Sequence, residues 1–111
     1  MSTIFEKIIK RELPADIVFE NDRIIAIKDK FPTAPVHLLI MPKKEIKDIQ
    51  SASKEDLILI GECVTVAQEL AKKFNVQDGY RLITNNGSSA GQTILHLHFH
   101  LLGGRQMGAL G

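Results

Sequence analysis

The sequence predicts an α+β fold, an antiparallel sheet of about five strands carrying two helices. Three observations carry that expectation: two windows of helical periodicity that open on capping patterns, five short apolar runs of strand length, and turn residues between the runs. Thr3 and Glu6 have the spacing of a capping box, and Phe5, Ile8, Ile9 and Leu13 follow at helical intervals until Pro14 stops them. Residues 17–19 and 24–27 flank Asn21-Asp22, a pair suited to the tight turn of a hairpin. Pro32 and Pro35 mark a loop, and residues 36–41 then read as a third strand before Pro42. Ser53 and Asp56 repeat the capping signal, with Leu57, Ile60, Val64, Ala67, Ala71 and Phe74 forming the apolar stripe of a longer helix. After Asp78-Gly79, residues 80–85 read as a strand, 86–93 as a polar Gly/Ser loop and 94–102 as a long final strand. The expected architecture is one layer of helix on the sheet, in a single domain spanning residues 1–111.

Composition narrows the function classes. Fourteen basic residues stand against thirteen acidic ones, a formal charge of +1, so no electrostatic footprint for nucleic acid or a membrane surface is visible. A small ligand suits that balance better. Cys63 is the only cysteine, which excludes an internal disulfide, and it reads as a small buried hydrophobe. The first residues interleave apolar and charged side chains rather than forming a signal peptide, and the longest uncharged stretch, 31–42, is too short to cross a membrane. A cytoplasmic protein is expected.

Three of the four histidines fall in the stretch His96-Leu97-His98-Phe99-His100. On a strand, residues two apart share a face, so the imidazoles line one side while Leu95, Leu97, Phe99 and Leu101 line the other. A helix would turn His98 roughly 160° from the mean direction of its neighbours and scatter the set. A solvated polar face is the bland alternative. Metal binding is the chemical one, because histidines at alternate strand positions can chelate zinc. At ~3.3 Å per residue, however, the outer two Cα atoms of a regular strand stand ~13 Å apart, too far for all three rings to share an ion. A two-histidine site completed by His37 stays open; otherwise the row points to nucleophilic chemistry, and no metal or cofactor is assigned. The loop before it, Gly87, Ser88, Ser89, Gly91, Gln92 and Thr93, lacks the lysine of a Walker loop, but glycines there permit backbone amides to approach a phosphate.

Residues 96–102 match the pattern His-φ-His-φ-His-φ-φ, with φ apolar, at every position. In this the chain resembles the histidine triad family, and the similarity extends through Ile4-Phe5, Lys7-Ile8-Ile9, Ala34-Pro35, Pro42-Lys43-Lys44, Asn85 and Gly103-Gly104-Arg105-Gln106-Met107. The last motif, with histidine rather than glutamine at position 100, is similar to the histidine triad nucleotide-binding (Hint) branch. That resemblance implies a homodimer with one continuous sheet. It also implies a hydrolase of purine nucleoside monophosphate derivatives, AMP or GMP phosphoramidates or acyl nucleotides, acting through a nucleotidyl-histidine. A nucleotide-binding regulatory or interaction protein with incidental turnover is the alternative. By the same resemblance His98 is the nucleophile, its other ring nitrogen held by a backbone carbonyl, His100 assists the leaving group, and His96 and His37 form a supporting pair. Asn85, Gly91, Gln92 and Thr93 fall around the phosphate or leaving group, Asp29 on the ribose hydroxyls, and Phe5, Ile8 and Ile27 on the base. Lys30 departs from the family, which has an apolar residue there, and the tail Gly108-Ala109-Leu110-Gly111 lacks the tryptophan with which many relatives end.

Overall fold

The computed structural model describes residues 2–111. In chain order the elements are α1 (Ile4–Ile9), β1 (Ile17–Glu20), β2 (Ile24–Lys28), β3 (Val36–Pro42), α2 (Asp56–Lys73), β4 (Tyr80–Ile83), a short 3-10 turn (Ser88–Ala90) and β5 (Phe99–Gly103). Five strands form one sheet in the order β1-β2-β3-β5-β4, with every neighbouring pair antiparallel. This is the α+β fold with two helices that the sequence predicts. None of the helices among the described residues is long and apolar enough to cross a membrane.

Local chemistry explains the element ends. The Thr3 hydroxyl accepts the Glu6 amide at 3.1 Å and starts α1. Its end differs from expectation: Arg11 adopts a left-handed φ of 64°, and Arg11 and Glu12 donate back to Ile8 and Lys7 carbonyls, so a Schellman turn stops the helix before Pro14. Ser53 and Asp56 form the expected reciprocal capping box, with bonds of 3.0 and 3.1 Å at the head of α2. Asn75, at φ 60°, closes α2 with a second Schellman turn through its own amide and that of Val76. The hairpin turns on the Asn21 side chain, whose oxygen accepts the Arg23 and Ile24 amides at 2.9 and 2.8 Å.

The helices occupy both faces of the sheet rather than one. Ile24 and Ala26 of β2, Leu38 and Ile40 of β3, and Phe99 and Leu101 of β5 pack with Cys63, Val66, Ala67, Leu70 and Ala71 of α2. On the opposite face Phe5 and Ile8 of α1 cover Ile25, Ile27, Leu39 and Met41. Continuous apolar runs in β2 and β3 demand this, since a strand without polar alternation must be covered on both sides. The predicted stripe of α2 is met in part: Ala67 and Ala71 are buried in that core, and Ile60 and Phe74 pack against it. Leu57 is 55% exposed and Val64 38%, however, and Cys63, Val66 and Leu70 complete the buried face instead; the apolar positions of this helix span more than one stripe, and periodicity cannot say which edge the sheet receives.

The final strand is shorter than predicted. Only Phe99–Gly103 pair in the sheet, and the chain bends at Ile94, Leu95 and His96. There Leu97 donates to the Ile46 carbonyl at 2.7 Å, and Thr84 reaches the His98 carbonyl through its hydroxyl at 2.8 Å instead of extending the β4 ladder. Leu95 is consequently 52% exposed, outside the apolar row of Leu97, Phe99 and Leu101.

Gly103 ends β5 against the α2–β4 connection. A Cβ there would lie 2.9 Å from Val76 Cβ, closer than packed side chains tolerate. Gly103→Ala is expected to lower unfolding stability by about 1–3 kcal/mol, read as a lower urea midpoint. In a double-mutant cycle the loss shrinks when Val76→Ala is present; an unchanged loss would place the strain elsewhere.

Candidate active site

His100 belongs to β5, paired with Leu39 of β3, while His37 is paired with Leu102. Alternation sends Phe99 and Leu101 into the α2 core and leaves His98 and His100 on the α1 face, with ring centroids 5.1 Å apart. The rings of His98 and His100 line a cleft of about 1210 Å³ whose walls include Asn85, Gly91, Thr93, Asp29, Phe5, Ile8, Ile27 and Leu39. Leu39 is an addition to the expected wall, and its signal was its place two residues from His37 on one strand face.

Each histidine nitrogen can be assigned from a partner of fixed character. His98 Nδ1 lies 2.7 Å from the His96 carbonyl, which only accepts, so Nδ1 carries the proton and Nε2 keeps a lone pair. His96 is anchored in the same way through Nε2, 2.8 Å from the Pro42 carbonyl, and its ring is buried. The Thr33 backbone amide, which only donates, reaches His37 Nδ1 at 3.1 Å. The proton of a neutral His37 therefore sits on Nε2, 2.9 Å from His100 Nδ1 and 3.2 Å from Asp29 Oδ2. That leaves His100 as the opposite tautomer to His98, with its proton on Nε2.

The expected pairing of His96 with His37 is corrected by these contacts. His37 meets His100, whereas His96 meets Pro42 at the far end of β3, packs edge-on to Phe5 with ring centroids 6.4 Å apart and stands 4.0 Å from Glu6. The bend before His98 carries His96 behind the cleft rather than along a straight strand.

Burial governs the protonation of the rings. It pushes His98 below the ordinary histidine value, against the opposing hydrogen bond to the His96 carbonyl. His100 is pushed down to about 4, first by burial and then by His98 and His37 beside it. Burial lowers His37 too, with the Asp29 charge opposing. Near neutrality the site thus holds uncharged imidazoles, as a nucleophilic nitrogen requires.

Ligand atoms of Asp29, His37 and His100 lie within 4.8 Å of one another, a spacing that could hold a metal ion. The His37 tautomer opposes it. A ligating Nε2 must be free of its proton, and a proton moved to Nδ1 would point at the Thr33 amide.

The remaining expected residues divide. Asn85, Gly91 and Thr93 reach the cleft, as does Asp29, whose other oxygen accepts the Phe31 amide at 2.8 Å. Gln92 is buried and its amide is fully engaged away from the cleft: Oε1 accepts the Gly87 amide at 2.9 Å, and Nε2 donates to the Lys47 and Ile94 carbonyls at 2.8 and 3.1 Å. The Gly91 amide donates to Ser88, so it too is engaged inside the loop, at a φ of 100° that suits glycine. Thr33, which acts through its amide, and Thr84, which ties the His98 carbonyl, escape sequence reasoning. A backbone donor leaves no residue-type signal.

Comparisons with known proteins give the chain a family. The HIT domain profile matches residues 10–107. A HIT-like protein of Chlamydia pneumoniae is 51% identical over 108 residues, covering 97% of this chain and 98% of its own. Among solved structures, a HIT family hydrolase of Clostridium thermocellum is 47% identical, covers 97% and 95% of the two chains and superposes with a TM-score of 0.93. A histidine triad protein of Clostridium difficile gives 35% identity, 100% and 97% coverage and a TM-score of 0.94. With His98 and His100 on the cleft, His96 behind them, and relatives of this closeness along nearly its whole length, the chain belongs to the histidine triad (HIT) family.

Proposed function

We propose that this protein is a nucleotide hydrolase of the Hint type, cleaving purine nucleoside phosphoramidates or acyl nucleotides through a nucleotidyl-His98 intermediate. One observation carries the reading: the His98 Nδ1 proton is bound to a main-chain carbonyl, so a neutral Nε2 lone pair is left for the cleft. The name of the Clostridium thermocellum relative, a hydrolase, supports hydrolysis. In the proposed reaction Nε2 of His98 attacks the α-phosphorus and the bond to the leaving group breaks. As it breaks, the Nε2 proton of His100 moves onto the departing nitrogen; a carboxylate needs only the hydrogen bond. Water then displaces His98 from phosphorus; the proton it sheds restores His100 after an amine has left and passes to solvent after a carboxylate has left. Two displacements replace one difficult step.

Asn85 and Thr93 serve the phosphate end of the cleft, Asp29 the ribose hydroxyls, and Phe5, Ile8 and Ile27 the apolar wall expected of a base subsite. His96 supports His98 by lending it a carbonyl. Gln92 acts by shaping the loop. AMP or GMP conjugates are the proposed partners and the cytoplasm the proposed location, in keeping with a single cysteine and no disulfide framework. A homodimer fits two features together: β4 is an edge strand, and α2 exposes Leu57, Ile58 and Val64. Sedimentation equilibrium tests it, and a monomer at micromolar concentration would remove the continuous sheet from the proposal.

His98→Ala is expected to lose nearly all turnover of adenosine phosphoramidate while still binding AMP. Rapid quench of labelled substrate, with peptide mapping in alkali, should locate the adduct on His98. A chiral α-phosphorus should leave with retained configuration, and net inversion would rule out two displacements.

The acid limb of kcat/KM reports the free His98. Because burial lowers its pKa, the nucleophile stays neutral below the ordinary histidine range, and the limb is expected under pH 6.5, the ordinary histidine value. A limb at or above that value would contradict a buried neutral nucleophile.

A further inference from the structure

His37 has one ring proton and two acceptors for it. His100 Nδ1 stands at 2.9 Å and Asp29 Oδ2 at 3.2 Å from the same Nε2, and a single N–H cannot align with both. Thr33 forbids escape to the other nitrogen by donating its amide there. The His37 side chain is only 5% exposed, so it influences a bound molecule through those two neighbours. Both neighbours line the cleft. Asp29 is restrained from behind, its other oxygen holding the Phe31 amide, so its position is fixed while its remaining lone pairs are available.

We propose that His37 is a positioning residue that couples sugar recognition to departure of the leaving group. A vicinal diol that donates to Asp29 draws the carboxylate's charge away from the shared proton, and the His37 N–H then bonds to His100 Nδ1 alone. A stronger donor at Nδ1 withdraws electron density from the His100 ring, and hydrogen bonds in series polarise one another in this direction. The His100 Nε2–H becomes a better donor to the bridging atom. This rests on the reading of the cleft as a nucleotide site and adds a consequence to it: the sugar hydroxyls, remote from the reacting phosphorus, raise kcat as well as affinity. The gain is largest for amines, which must leave with a proton, and small for acidic leaving groups.

Two measurements test the coupling, one of which needs no turnover. Two-bond nitrogen–proton spectra of histidine-labelled protein report each ring's tautomer. His98 is expected as Nδ1–H and His100 as Nε2–H in the free protein. Saturating adenosine should move the His100 Nδ1 resonance, and 2′,3′-dideoxyadenosine should not. In kinetics, removing both hydroxyls from an alkylamine phosphoramidate of adenosine should lower kcat about tenfold, a fraction of what general acid catalysis supplies, with little change in kcat for an acyl adenylate. His37→Gln can accept from Thr33 and donate to His100, so it should keep the difference. His37→Leu should abolish it, giving both sugars the same kcat while their KM values still differ; thermal melts confirm that both variants fold. A His100 found as the Nδ1–H tautomer, or a hydroxyl effect confined to KM and equal for both leaving groups, overturns the coupling. Absence of both turnover and any histidine shift with adenosine overturns the nucleotide reading and the coupling together, whereas equal shifts with adenosine and its dideoxy analogue overturn the coupling alone.

Discussion

A hydrogen bond spanning two residues, from His98 Nδ1–H to the His96 carbonyl at 2.7 Å, links the path of the chain to the chemistry of the cleft. A side chain that binds the carbonyl two residues behind it competes with strand pairing, and the segment before Phe99 accordingly leaves the sheet. The main-chain groups it abandons are met elsewhere, by Ile46 for the Leu97 amide and by Thr84 for the His98 carbonyl. Had β5 continued straight through residue 96, that carbonyl would point across the sheet and the His98 ring would have no fixed tautomer.

Packing then sets the charge. Phe5 stands edge-on to His98 with ring centroids 4.9 Å apart, so α1 removes water from the imidazole while the carbonyl keeps its proton on the correct nitrogen. The same helix covers Ile25, Ile27, Leu39 and Met41. One short element therefore completes the second face of the core and desolvates the proposed nucleophile, and the two-sided burial of β2 and β3 is inseparable from the site.

The sheet, both helices and the histidine cluster were legible because each has a local cause: capping pairs, apolar runs and alternation. The edge of the buried face of α2 was not legible, since Leu57 and Val64 satisfy the helical period as well as Cys63, Val66 and Leu70 do. Nor was the bend at Ile94, Leu95 and His96, because Leu97 and Phe99 still alternate across it and mimic an uninterrupted strand. The partner of His37 depends on the register of β3 against β5, which sets Leu102 opposite it and His100 diagonal to it, and only the assembled sheet decides that. Gln92 illustrates a further limit: residue type marks it as polar and near the histidines, but its amide is consumed by Gly87, Lys47 and Ile94.

The Gly103-Gly104-Arg105 segment, which the sequence marks only by resemblance, has a physical reason in the structure. Gly103 admits Val76, and Gly104 turns at φ 93° with Pro35 so near that a Cβ would stand 3.0 Å from its ring. That turn brings Arg105 over the loop ahead of β3, where Nε donates to the Thr33 carbonyl at 3.0 Å. Thr33 is thus held through its carbonyl while its amide sets the His37 tautomer. The order of cause runs from two glycines without side chains, through one arginine and the backbone of one residue, to the ring that faces His100, and Thr33, outside the cleft wall, becomes the point where the end of the sheet fixes the protonation of its centre.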